Sequence, residues 1–314
     1  MLFGAGASAF SGPTRHRGVS GKRPPLGAGD HGLFASLRLE GGIAASLPPS
    51  VQDTLVRDFE AGMRLIERMR GTWHVAFQRQ IALHLAGYEI REGNLYYELL
   101  RLPGMRSKRI QYSTLNYDLL LDQTFNKHGV RVEASPEDRL QEGYATVLKL
   151  HGACNILVKH DNLVSDNEVL GAPFGYQSPL AGNVGRLYLA RSRREIERWC
   201  RDPANSQFAP LVAQYVREKT FLTHTGAFEQ IQSFWAQKVA RADAVVLIGV
   251  RCVDTDTHIW QPLRETTAEV LVVNPEVGDV EMWARGTRRP LRHIARSFGE
   301  LGAIQGAIGA VLDA

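Results

Sequence analysis

The chain has 314 residues, 44% of them hydrophobic, with 37 basic and 33 acidic side chains and a formal net charge of +4. That is enough apolar material for one large α/β domain or a domain with an insertion, and too small a charge excess to mark a nucleic-acid binder. Three widely spaced cysteines, Cys154, Cys200 and Cys252, exclude a disulfide scaffold and a zinc module of paired Cys-x-x-Cys ligands, and they fit a reducing compartment.

Met1–Phe3 reads as a short apolar strand running into Gly4-Ala5-Gly6-Ala7-Ser8-Ala9. A strand, a glycine turn and a helix start together can hold the pyrophosphate of a dinucleotide. The glycines let the backbone approach the phosphates, and the helix start offers unpaired N–H groups. A plain tight turn would leave the same letters, because Gly-x-Gly-x-x-Ala also arises by chance in a chain with 30 glycines. The first strand is either short or continued upstream. No basic leader with a cleavage site is visible and no apolar run reaches about 18 residues, so no signal peptide or membrane span is expected and the expected location is cytoplasmic.

Residues 12–50 are rich in Gly, Pro and Ser around Lys22-Arg23-Pro24-Pro25 and read as one long loop. Residues 51–102 read as helical: Val51, Leu55, Phe59, Met63, Ile66 and Met69 recur at spacings of three and four. A second stretch carries Val75, Phe77, Ile81, Leu85 and Tyr88, and a third runs from Asn94 to Pro103-Gly104. This predicts an inserted helical subdomain over 51–105, for packing, for capping a cleft or for oligomer contacts.

Arg109–Asp118 reads as a strand ending in Asn116 and Asp118, and Val147–Gly152 as a strand ending in His151-Gly152. Asp161–Arg186 is an irregular segment. Arg191–Cys200, Gln207–Lys219 and Phe228–Arg241 read as helices, Ala244–Gly249 and Val270–Pro275 as strands, and Ile294–Leu312 as a helix. Arg191–Arg194 and Arg285–Arg296 read as solvated helix faces. Asp254-Thr255-Asp256-Thr257-His258 alternates acids as hard-metal sites do, but no second ligand cluster accompanies it, so a loop beside the cofactor is expected and no metal. The absence of Gly-x-x-x-x-Gly-Lys-[Ser/Thr] argues against a nucleoside triphosphatase.

The apolar strand runs suit a parallel sheet buried on both faces. The expected fold is therefore α/β: a Rossmann-like, mostly parallel sheet with helices on both faces, in a single domain over 1–314 without a zinc module. In such sheets ligands bind at the carboxyl ends of the strands, which puts Asn116, Asp118 and His151 in front of the Gly4–Gly6 turn. Each also has a plain structural role open to it: a turn for Asn116, a helix cap for Asp118, a loop hydrogen bond for His151.

The order GAGAS, TLNYD, KLHG, LIG and VVNP, spanning Phe3 to about Pro275, resembles the sirtuin superfamily. More narrowly it resembles the bacterial sirtuin-like domains that act as NAD hydrolases in anti-phage defence. The resemblance implies cleavage of the nicotinamide–ribose bond of NAD to nicotinamide and ADP-ribose, a glycoside-type reaction with an oxocarbenium-like transition state. Gly4, Ala5, Gly6 and Ser8 would bind the dinucleotide, Gly249 would lie under it, and Asn274 would bind the adenosine ribose. Asn116 would position the nucleophile. Asp118 would stabilise charge on the ribose or orient the carboxamide. His151 would be the general base, acting on a ribose hydroxyl or on water.

The family also implies a homo-oligomer and a separate activating defence protein. Departures are Pro13-Thr14-Arg15-His16 where sirtuins carry a Pro-Asp-Phe-Arg-like loop, and Leu115 where deacylating members have Gln. The missing zinc cysteines count against the first rival, a protein deacylase or ADP-ribosyltransferase. The second rival is a non-catalytic sensor of NAD or ADP-ribose.

Overall fold

The computed structural model describes residues 1–69, 72–133, 144–159, 186–212 and 225–313. Its chain divides into two compact units, one of Met1–Pro24, Tyr88–Leu150 and Ile231–Ala314, the other of Pro25–Gly87 and His151–Gln230.

In chain order, β1 (Leu2–Phe3), α1 (Ala5–Ala9) and a hairpin of β2 (Thr14–His16) and β3 (Val19–Ser20) come first. Five helices follow: α2 (Leu33–Leu39), α3 (Gly42–Ser46), α4 (Pro49–Arg57), α5 (Phe59–Glu67) and α6 (Trp73–Leu85). Next are β4 (Tyr88–Ile90), α7 (Leu95–Arg101), β5 (Tyr112–Thr114), α8 (Leu120–Lys127), β6 (Arg131–Glu133) and β7 (Tyr144–Lys149). Then come β8 (Ile156–Lys159), β9 (Arg186–Leu189), α9 (Arg193–Arg201) and α10 (Thr225–Ala240). The chain closes with β10 (Ala244–Ile248), α11 (Thr257–Glu265), β11 (Glu269–Val273), α12 (Gly278–Thr287), β12 (Leu291–Ala295) and α13 (Leu301–Leu312).

The first unit is an α/β layer structure on a seven-stranded sheet, ordered β12-β11-β10-β1-β5-β7-β6 and parallel throughout. The five strands expected from apolar runs are its five contiguous central members. The last four residues of β10 and of β11 are buried, which is why these strands read as unbroken apolar runs. β1 sits between β10 and β5, with Phe3 opposite Ile248 on one side and Thr114 on the other. From β1 the strand order advances to β5 and β7 on one side and to β10, β11 and β12 on the other, so β1 and β10 flank the topological switch point. Phe3 is fully buried and packs on Tyr96, Tyr112 and Phe298 at ring-centroid distances of 5.2, 6.3 and 5.9 Å. Burying such a side chain contributes about 1.5–3 kcal/mol.

The second unit gathers α2–α6 around Phe34, Phe59 and Phe77. Helix starts are satisfied locally: Asp58 accepts the Ala61 N–H at 2.9 Å, and Ser192 the Glu195 N–H at 3.2 Å. Arg79 on α6 fastens the other segment of this unit. Its guanidinium donates to the carbonyls of Phe208 (2.6 Å), Cys200 (3.1 Å) and Asn205 and stacks on Trp199.

Several expectations are corrected. Residues 12–50 are not one loop but hold β2, β3, α2 and α3, short elements of two to seven residues separated by turns. β4 interrupts the helical run of 51–102. Residues 207–212 are not helical, while 213–219 and 160–185 lie outside the described residues. The Arg285–Arg296 stretch is the end of α12 followed by edge strand β12, where Arg292 pairs with Glu269 of β11; the last helix therefore starts at Leu301, not Ile294. The three cysteines form no disulfide with one another and sit apart, Cys154 after β7, Cys200 in α9 and Cys252 after β10. Among the described residues no helix is long and apolar enough to cross a membrane.

Candidate functional site

The carboxyl ends of β1, β5 and β10 converge on a buried polar cluster. The turn after β1 is held by main-chain bonds: Gly4 N–H donates to Ile248 O (2.9 Å) and Gly6 N–H to Gly249 O (3.1 Å). Two of the turn amides expected to face a phosphate are thus engaged by β10 and Gly249. The exposed crest is Ala5, whose N–H has no partner among the described residues. α1 is only five residues long, so its dipole is small, and the unpartnered Ala5 N–H is what the turn has left for an anion.

Ser8, on the buried side of α1, is bonded to both Tyr96 and Asn116. Its Oγ lies 3.0 Å from the Tyr96 hydroxyl and 2.9 Å from Asn116 Nδ2. Asn116 Nδ2 donates to Gly4 O at 2.9 Å as well. The Asn116 main chain is fixed by its N–H to Thr114 Oγ1 at 3.0 Å. The sequence therefore folds so that the residue two past β5 reaches back over the glycine turn after β1.

Asp118 is buried, and its Oδ1 accepts the Leu120 N–H at 3.0 Å, so it also caps the start of α8. Burial pushes its carboxyl above the ordinary range. The Leu120 N–H, the Ser8 hydroxyl and the Lys149 ammonium pull it down, while the Asp122 carboxylate adds to the rise. Lys149, on β7, is fully buried and donates to Asp122 Oδ2 at 2.7 Å. Burial, and after it the Asp118 charge, pushes the Tyr96 phenol up.

Gly249 and Asn274 complete the strand ends. Gly249 has φ of 63°, and its N–H donates to Val273 O at 2.9 Å. Asn274 Nδ2 donates to Val250 O at 3.1 Å, and its own carbonyl bonds His293 Nε2 at 2.9 Å. The structure thus brings Gly4, Ala5, Gly6, Ser8, Asn116, Asp118 and Gly249 together in the first unit, with Asn274 one strand further on. His151 is buried two residues past β7 and is the first residue of the second unit.

Sequence reasoning missed Tyr96, Asp122 and Lys149. A lysine inside the otherwise apolar Val147–Leu150 run was the available signal, because a charge in a buried strand needs a partner. Tyr96 gave none, since it follows Asn94 in what reads as an ordinary capped helix; Asn94 Oδ1 accepts the Tyr96 N–H at 3.1 Å.

A cavity of about 550 Å³ lies at the amino ends of the same strands, lined by Gln111, Ala145 and Ala244 among others. Its lining has one carboxylate, Asp243, and no histidine, and is otherwise rich in cations such as Lys108, Arg109, Lys238 and Arg241. No protein-family model matches the chain, and a search of curated proteins finds no match.

Proposed function

We propose that the chain is a sirtuin-like NAD hydrolase that cleaves the nicotinamide–ribose bond to give nicotinamide and ADP-ribose. The observation that carries this reading is the Asn116 amide, pinned 2.9 Å from both Gly4 O and Ser8 Oγ at the switch point of a parallel sheet. A strand-end asparagine held against a glycine turn suits a dinucleotide: the Ala5 N–H meets a phosphate, and the asparagine meets a ribose hydroxyl or the attacking water. Nicotinamide leaves neutral from a cation, so the protein needs little acid catalysis there. It must hold the ribose, exclude stray water and accept one proton. His151 is the proposed base, and Asp118 the carboxyl that answers positive charge on the ribose. Gly249 and Asn274 are assigned to the cofactor's backbone approach and adenosine ribose by the family resemblance.

That resemblance extends the reading to a cytoplasmic effector of bacterial anti-phage defence, a homo-oligomer that depletes NAD once a separate partner activates it.

The test incubates purified chain with NAD and resolves the products by liquid chromatography, beside His151→Ala and Asn116→Ala. Nicotinamide and ADP-ribose are expected from the wild type, with each variant slower by about 10²–10⁴-fold. Full turnover by either variant would reject the assigned site. Binding of NAD without any product, in oligomers as well as protomers, would favour a sensor.

A further inference from the structure

The Asn116 amide is held in one orientation, and that orientation restricts what the site accepts. Gly4 O can only accept a hydrogen bond, so the Asn116 atom 2.9 Å from it is the NH2 nitrogen. The same nitrogen lies 2.9 Å from Ser8 Oγ and 3.4 Å from the Tyr96 hydroxyl. Both of its hydrogens are therefore used inside the protein. Asn116 Oδ1 has no hydrogen-bond partner among the described residues, and the residue keeps 7% of its surface exposed.

Ser8 reinforces the arrangement. The Ser8 hydroxyl accepts from Asn116 Nδ2 and shares a second hydrogen bond with the Tyr96 hydroxyl. Ser8 thus links Tyr96 to Asn116. Tyr96 is in turn fixed by its surroundings. Its ring is 1% exposed and packs on Phe3 and Phe298, each 5.2 Å away between centroids.

We infer that Tyr96 is a positioning residue that, through Ser8, locks the Asn116 amide with its carbonyl outward, so that the site takes a ligand presenting a hydroxyl hydrogen at that point. A ribose hydroxyl or a bound water meets this demand, and a ligand offering only an acceptor there does not. The identity of the ligand rests on the hydrolase reading; the lock rests on the hydrogen bonds alone.

The test uses the full chain labelled with nitrogen-15. Asn116→Asp removes the Asn116 NH2 signals and so assigns them. In the wild type both protons should exchange with water slowly. Tyr96→Phe keeps the ring and its contacts, and should speed that exchange about tenfold. Ser8→Ala removes the partner from the other end and stands in if Tyr96→Phe does not fold. Exchange as fast in the wild type as in an exposed asparagine, or unchanged in both variants, overturns the lock. With NAD, Tyr96→Phe should lower kcat about tenfold and move KM less than about twofold; an unchanged kcat overturns the positioning role. Slow exchange in a wild type that leaves NAD intact sinks the hydrolase reading and upholds the lock.

Discussion

Gly4 and Gly249 meet backbone to backbone where β1 and β10 end. A Cβ on Gly4 would lie 2.4 Å from Gly249 O, and one on Gly249 would lie 2.2 Å from Ala7 N. No side chain fits between these strand ends, and the contact sets the height of the turn on which Ala5 sits. Gly249→Ala adds a strained left-handed residue to a clash, about 1–3 kcal/mol each, so a loss of about 2–6 kcal/mol is expected. Gly306→Ala, exposed on α13 with nothing within 4 Å of the new Cβ, should instead gain about 0.5–1 kcal/mol. Denaturant titration of both reads the difference; similar effects from the two would deny the tight contact.

The Lys149–Asp122 pair, buried at 2.7 Å beside Asp118, makes a second prediction. Removing one partner leaves an uncompensated charge in the core, so Lys149→Met should cost about 3–5 kcal/mol. The double variant Lys149→Met with Asp122→Leu should recover most of that loss, because both charges then leave together. A double-mutant cycle measured by urea unfolding decides it: additive losses would mean that the two side chains do not depend on each other.

The centre of the sheet was legible because burial on both faces forces unbroken apolar runs, as in Val245–Ile248 and Val270–Val273. The edges were not. β12 carries Arg292 and His293, and β6 begins with Arg131, since an edge strand faces water and wears the charges of a helix surface. The turn after β1 and the strand-end Asn116 and Asp118 were legible from order and position. Tyr96 and Lys149 were not, because what makes them matter is a partner far away in sequence: Ser8 lies 88 residues from Tyr96, and Asp122 lies 27 from Lys149. The glycines of 12–50 hid short elements, since turns every few residues look like a loop when only composition is read.

Glu67, at the end of α5, gives a pH dependence in the second unit. Burial raises its carboxyl from an ordinary 4.5 to about 6, against the pull of Arg64 and Arg68. A raised carboxyl contributes stability fully below pH 4.5, where it is protonated in both folded and unfolded chains, and that contribution fades as pH climbs through about 6. Glu67→Gln stays neutral, so its unfolding free energy should lack this fall and gain on the wild type between pH 4.5 and 6. Parallel stability curves for the two chains across that window would refute the assignment.

Cys252 follows the Gly249 strand end and is half-buried, yet its thiol should be inert. Burial first, and then the carboxylates of Asp279, Asp254 and Asp256, push it up to about 12. Only about one such thiol in ten thousand is ionised at pH 8, and the thiolate is the reactive form. Cys200, buried in α9, is held up to about 11 by desolvation against Arg79 and Arg201. Iodoacetamide at pH 8 should therefore leave both thiols in the folded chain largely unmodified over an hour, and should modify all three cysteines once the chain is denatured. Asp279 also accepts the Cys252 N–H at 2.8 Å, so Asp279→Asn removes one of the charges that raise the thiol while an amide oxygen can keep that bond. Labelling of Cys252 should then become severalfold faster while labelling of Cys200 is unchanged. Mass spectrometry of the alkylated peptides reads both sites at once. Equal acceleration at both would point to general loosening of the fold, and no acceleration at Cys252 would remove Asp279 as a cause of its inertness.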